Sequence, residues 1–238
     1  MGRWGYGILD GDGPLDGVGV VVHAIEADVA RYARTRPGPR TPARLGAAVG
    51  LLLQLSSYSF EDEEIAATIG RALRKHEANF GLLLPPEAAS LLRRVAAGEG
   101  RALAARRGGR RGELAQALGR YLDGVREPSL FEHPLARAYA QKIALRCARR
   151  LERALAGGGL DLIDDDRWMG ALGALLLVEP WSLPASRVEG WRARYEAALD
   201  ALRPGDDPEP DLVDFEAALG PNVRLAFDLL SRRARGAA

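Results

Sequence analysis

Apolar residues in this chain recur with a helical period and almost never alternate. That pattern constrains the fold more than anything else in its 238 residues. Leu15, Val18, Val22, Ile25 and Val29 follow one another at three- to four-residue intervals, and a 3.6-residue turn gathers them on one side of a helix. Leu45, Val49, Leu52, Leu53 and Leu55 repeat the pattern, as do Leu135, Tyr139, Ile143, Leu145 and Leu151. The nearest approach to a strand is Gly17-Val18-Gly19-Val20-Val21-Val22, in an early glycine-rich segment that could close a small hairpin. No segment sustains the two-residue alternation of a half-buried strand. The expectation is an all-α globular bundle of about nine or ten helices behind an extended, glycine-rich N-terminal segment.

Starts and stops divide the pattern. Asp12 or Pro14 opens a helix to about Arg34, and Pro37, Pro39 and Pro42 interrupt. Thr41-Pro42 reads as an N-cap followed by proline in the first turn of a helix to about Ser57. Ser59 and the acids Glu61 to Glu64 complement the positive end of a helix to about Phe80, with Gly81 as its C-cap. Pro85-Pro86-Glu87 starts a helix ending near Gly98. Residues 98–112 then lose the apolar period and gain glycine and arginine, the mark of a loop or boundary. Helical pattern returns over 113–123, 134–156, 165–178 and 186–202, the last with a Ser186/Glu189 capping box. Pro221 begins the final helix. The division expected is a helical region over 1–98 and another over 113–238, packed together as one unit.

Composition excludes several classes. The formal charge of +1 gives no global field towards nucleic acid or an anionic membrane. No apolar run is long enough to span a bilayer, the N-terminus lacks the layout of a signal peptide, and Cys147 is the sole cysteine. A reducing, cytoplasmic setting fits. Of 33 cationic residues only Lys75 and Lys142 are lysines. So strong an arginine bias points to a GC-rich genome and lowers the weight of any single arginine cluster.

The most distinctive segment is Met1 to Asp16, MGRWGYGILDGDGPLD. Its Trp4, Gly5, Gly7, Leu9, Asp10, Asp12 and Asp16 resemble the opening of the DUF4259 proteins, a bacterial family of unknown function, in which a Trp-Gly-x-Gly run with spaced aspartates precedes a helix. The similarity covers about the first sixteen residues and extends in helical layout towards Gly98, through Leu84-Pro85. Gly11 and Pro14 depart from the family pattern. The resemblance implies a bacterial protein and supplies no activity. Physically, Trp4 and its apolar neighbours would pack against the core while an aspartate caps the first helix. Alternatively, Asp10, Asp12 and Asp16 hold a hard cation such as magnesium. They match three calcium-loop positions in spacing, but Pro14, the missing glycine and Val21 in place of the closing glutamate exclude an EF-hand.

Other chemistry-bearing residues are scattered. His23, His76 and His133 fall in three predicted elements with no zinc-ligand spacing. His76 reads as a cation near a helix C-terminus and His133 as a helix entry residue. Cys147 reads as a small core residue, the alternative being a thiol activated by nearby arginines. Asp161, Asp164, Asp165 and Asp166 read as a capping cluster. No nucleophile elbow, P-loop or dinucleotide fingerprint occurs, and no cofactor is expected. Two arginine groups stand out: Arg106, Arg107, Arg110 and Arg111, and Arg146, Arg149, Arg150 and Arg153, the latter sharing a helix face with Lys142.

These features favour a bacterial, cytoplasmic protein-interaction factor without catalytic activity, such as an immunity or antitoxin-like or accessory protein with a protein partner and no membrane contact. A metal-dependent, nuclease-like enzyme using Asp10, Asp12 and Asp16 is the alternative. A nucleic-acid binder acting through the arginine stretches is the third reading.

Overall fold

The structure, a computed structural model, describes residues 12–56, 58–104, 128–157, 167–178, 181–201, 217 and 219–236, the side chains of 12–15 and 128 excepted. It is all-α. The helices are α1 (Asp12–Arg34), α2 (Thr41–Leu55), α3 (Tyr58–Glu61), α4 (Glu63–His76), α5 (Phe80–Leu83), α6 (Pro86–Arg94), α7 (Pro134–Ala154), α8 (Arg167–Leu177), α9 (Ala185–Ala201) and α10 (Gly220–Gly236). Short 3₁₀ turns cover Glu77–Asn79 and Pro128–Phe131. Among the described residues there is no strand, and no helix is long and apolar enough to cross a membrane.

Two apolar helices lie at the centre. From Pro42 onward α2 is buried at every position except Arg44, and α8 is buried from Trp168 to Leu176. A helix apolar all round must be enclosed on all sides. Helix α1 packs against α8, α4 and α2, while α7 packs against α8 and α2. Helices α9 and α10 pair with each other, and α10 also packs against α8. The α1–α8 crossing depends on Gly17, because a Cβ there would collide with the Arg167 carbonyl oxygen and lie 3.1 Å from Gly170 Cα.

Arg233 closes the end of α8. Its guanidinium donates to the carbonyl oxygens of Leu175 (3.1 Å), Leu176 (3.1 Å) and Val178 (3.0 Å), and its plane lies 4.7 Å from the Trp181 ring centre. The Trp181 indole N–H also donates to Leu175 O at 2.7 Å. Carbonyls left without partners at a helix end are thereby satisfied from another element.

The valine-rich Gly17–Val22 segment lies within α1, as the helical stripe through Val18 and Val22 predicts. Several other sequence expectations need correction. Helix α2 begins at Thr41, with Arg40 at the cap position and no side-chain capping bond. The single helix expected from Ser59 to Phe80 is broken at Asp62, whose carboxylate accepts from the N–H groups of Glu64 (3.0 Å) and Ile65 (2.9 Å) and starts α4 anew. Gly81 lies inside α5 and caps nothing. The helix expected to stop near Gly98 passes through a π turn over Val95–Glu99, takes a positive φ of 98° at Gly98, and resumes over 100–104. Ser186 falls one residue inside α9, which begins at Ala185. The helix expected over 113–123, the acidic cluster Asp161 to Asp166 and the N-terminal segment through Gly11 lie outside the described residues.

Candidate functional site

A buried carboxylate joins α1 to α7. Asp28 is only 6% exposed, yet it sits on a helix whose buried side is otherwise apolar. One oxygen accepts from the Arg31 guanidinium at 2.8 Å; the other accepts from the Tyr139 hydroxyl at 3.1 Å and lies 3.4 Å from Lys142 Nζ. Both cations also lie near aromatic faces, Arg31 5.5 Å from the Tyr32 ring centre and Lys142 5.8 Å from that of Tyr139. Burial pushes the Tyr139 hydroxyl far above the usual tyrosine range, and the Asp28 charge pushes the same way while Arg146 opposes it weakly. Burial raises Tyr32 too, against the opposing charges of Arg31 and Arg44. Asp28 thus meets cations from two helices, Arg31 of α1 and Lys142 of α7.

Around that point the outer surface is cationic and unmatched. Lys142, Arg146, Arg149, Arg150 and Arg153 occupy an arc of about 100° on α7 and span roughly 16 Å along its axis. Arg146, Arg149 and Arg153 are exposed. Among the described residues no carboxylate pairs with these three or with Arg150; the Arg153 Nε bonds only the Arg149 carbonyl oxygen, at 3.3 Å. At the α1–α2 junction Arg34, Arg36, Arg40 and Arg44 are likewise exposed and make no ion pair with a described residue.

Several cations elsewhere are matched to carboxylates, while exposed Arg71, Arg101, Arg194 and Arg232 make no ion pair with a described residue. On α9 and α10 Arg224 grips Glu196 at 2.9 and 3.1 Å, Arg192 bonds Asp228, and Arg235 approaches Glu189. Arg187 holds Glu152 of α7 at 2.9 and 3.1 Å, and the Trp191 indole adds a bond at 3.0 Å. The Arg187 guanidinium holds the Glu152 carboxyl below the usual range, and Trp191 reinforces it. Arg93 and Arg94 find Glu77 and Glu99. The one acid on the α7 helix is therefore committed away from the arginine ridge. So is its one amide: Gln141 exchanges two 2.7 Å bonds with the Ser182 backbone.

The remaining candidates fill structural roles. Cys147 is fully buried and its thiol is pushed up to about 12 by burial; Arg150 and Arg146 pull it down by less, so desolvation wins. His133 Nδ1 accepts from the Leu135 N–H at 3.1 Å and caps α7, as its position predicts. His76 departs from expectation. It is fully buried rather than a surface cation, because the inner stripe of α4 (Ile69, Ala72, Leu73) includes position 76. Its Nε2 donates to Tyr32 O at 3.1 Å and its Nδ1 has no hydrogen-bond partner. Ser59, Glu26 and His23 form a chain in which the serine hydroxyl donates to one glutamate oxygen (2.7 Å) and the histidine bonds the other (2.9 Å). The carboxylate stands between serine and imidazole, so the imidazole does not touch the hydroxyl, and Ser59 is fully buried.

Of the aspartates considered for a metal, Asp16 is exposed, while Asp10 and the side chain of Asp12 lie outside the described residues. Among the described residues no three metal-ligating side chains come together. Arg106, Arg107, Arg110 and Arg111 also lie outside them. Sequence reasoning missed Asp28 with its two tyrosines, and missed the arginines of the α1–α2 junction. The available signal for the first was a charged residue three positions after Ile25, on the apolar side of a helix. No protein-family model matches the chain, and no curated protein or solved structure matches it.

Proposed function

We propose that this protein is a non-catalytic, cytoplasmic binding factor of bacterial type, engaging an anionic macromolecule through the arginine ridge of α7 and the adjoining α1–α2 junction. The supporting observation is the uneven use of arginine. Arg187, Arg192 and Arg224 are matched with acids, whereas Arg146, Arg149, Arg150 and Arg153 share one arc of α7 with no described carboxylate paired to them. Holding like charges together costs free energy that is recovered when a partner supplies the opposite charge. The buried thiol of Cys147 suits a reducing compartment. An immunity or accessory role alongside another gene product is compatible with such a surface, and a bacterial source accords with the resemblance of the first sixteen residues to DUF4259 proteins.

The test compares the full-length protein with R146E/R149E/R153E as bait in extracts of the source cell, with and without nuclease treatment. A partner retained by the native chain and lost by the charge-reversed chain, at equal helicity, is expected. Identical partner sets for both baits would remove the ridge from the reading.

A further inference from the structure

We infer that the ridge binds the phosphate backbone of duplex DNA, without reading its sequence; this rests on the binding-factor reading above. Two partner classes carry enough negative charge, an acidic protein and a nucleic acid, and the character of the ridge separates them. Protein interfaces depend on a desolvated apolar centre with aromatic or aliphatic anchors inside a polar rim. Among the described residues the exposed large hydrophobics are Val20, Tyr58, Leu82 and Leu225, and none lies on α7. The α7 aromatic, Tyr139, is 4% exposed and turned inward to Asp28. A ridge of guanidiniums with no anchor has little with which to hold a protein, but it suits a polyphosphate, where binding derives from counterion release and charge-assisted hydrogen bonds.

The same features choose among nucleic acids. Single strands are held by stacking bases on exposed aromatic rings, and this face has none. A duplex instead offers phosphates along a rigid line, about one per 1.7 Å of axis counting both strands, against a rigid helix face about 16 Å long. Arginines can read guanine edges only from within the major groove, whereas the phosphate backbone is open to every ridge arginine, and the amide of α7, Gln141, is tied to Ser182. Helix α7 keeps its other side in the core through Ile143, Ala144, Cys147 and Leu151, which holds the arginine arc outward as a rigid face. B-form DNA is favoured over duplex RNA because A-form RNA is recognised across its minor groove through 2′-hydroxyls as well as phosphates, whereas the ridge offers cationic donors alone.

Fluorescence anisotropy of the full chain against a labelled mixed-sequence DNA duplex tests this, with duplex RNA, single-stranded DNA and polyglutamate as parallel ligands. The native protein is expected to bind the DNA duplex best, without preference between unrelated sequences. Its affinity should fall steeply with salt, with a log–log slope of about −3 to −4 for four phosphate contacts. R146Q/R149Q/R153Q should weaken binding at least tenfold and flatten the slope by about 2 to 3, while R93Q/R94Q, whose arginines are already paired, should leave it unchanged. Absence of duplex binding at low salt overturns the inference, as does tighter binding to single strands or duplex RNA. Ridge-dependent binding of polyglutamate without DNA binding overturns it while leaving the binding-factor reading intact. DNA binding that the ridge substitutions do not alter overturns both.

Discussion

The α9–α10 pair and the outer face of α7 are made from similar residues and treat their charges in opposite ways. Both regions are arginine-rich. On α9 and α10 guanidiniums and carboxylates lie across from one another, as in Arg224–Glu196 and Arg192–Asp228, and the paired surface also reaches Glu152 through Arg187. On α7 the acid is drawn to the inner flank by Arg187 and Trp191, and the arginines on the outer arc are left to solvent. One region pairs Arg187, Arg192, Arg224 and Arg235 with acids and leaves Arg194 and Arg232 exposed; the arc on α7 pairs none of its arginines with a described carboxylate. The contrast teaches that a net charge of +1 says nothing about where the charge resides.

Substitutions should split along this line, with stability effects largest where charges are internally matched and smallest on the ridge. Trp191→Ala removes a ring that is 2% exposed and the indole donor to Glu152; thermal or urea unfolding should show a loss of about 3–5 kcal/mol. Asp28→Ala should cost about 1–3 kcal/mol, mainly because the buried Tyr139 hydroxyl loses its acceptor. Arg31 and Lys142, about half exposed, can return to water. A Tm equal to that of the native chain would show that the Asp28 group is not a structural link between α1 and α7.

A smaller effect, with a pH signature, belongs to Glu152. Its folded pKa lies below its unfolded one, so its stabilisation is present above the usual carboxylate range and is lost as pH falls through the folded value. Glu152→Gln should therefore lower Tm at about pH 7, and the gap should close as pH falls below the usual carboxylate range. A gap that widens on acidification would contradict the assignment. Glu196→Gln breaks a partly exposed pair and should cost under about 1 kcal/mol by denaturant titration. Smallest of all, R146Q/R149Q/R153Q should leave stability within about 0.5 kcal/mol or raise it slightly, since like charges are being removed. The same triple variant should show the largest loss of binding, which inverts the order. A marked loss of stability would mean that the ridge is held by contacts within the fold.

Much of the architecture was legible. The stripes of α1, α2 and α7, the prolines between α1 and α2, and the His133–Pro134 entry to α7 all act through neighbours a few residues away, within reach of a local pattern. The misreadings occurred where a local rule had two solutions. Asp62 was one of several acids before α4, and only the actual start of the helix selects it as the cap. Gly98 has the positive φ of a helix stop, yet the chain turns through it and continues, because the next segment also has a buried side in Leu103 and Ala104. His76 looked like a surface cation by its sequence neighbours and is a core group by its angular position on α4.

By itself, the sequence determined that this chain is helical, where most helices begin and end, and which sides turn inward, since those depend on a 3.6-residue period and on caps within one turn. Tertiary structure alone decided which charges meet. Asp28 finds Tyr139 across 111 residues and Glu152 finds Arg187 across 35, distances over which no local pattern carries information. Coulomb energy falls with separation in space and is indifferent to separation along the chain. Only folding could show that Arg187 and Arg224 meet acids while the row of cations on α7 does not.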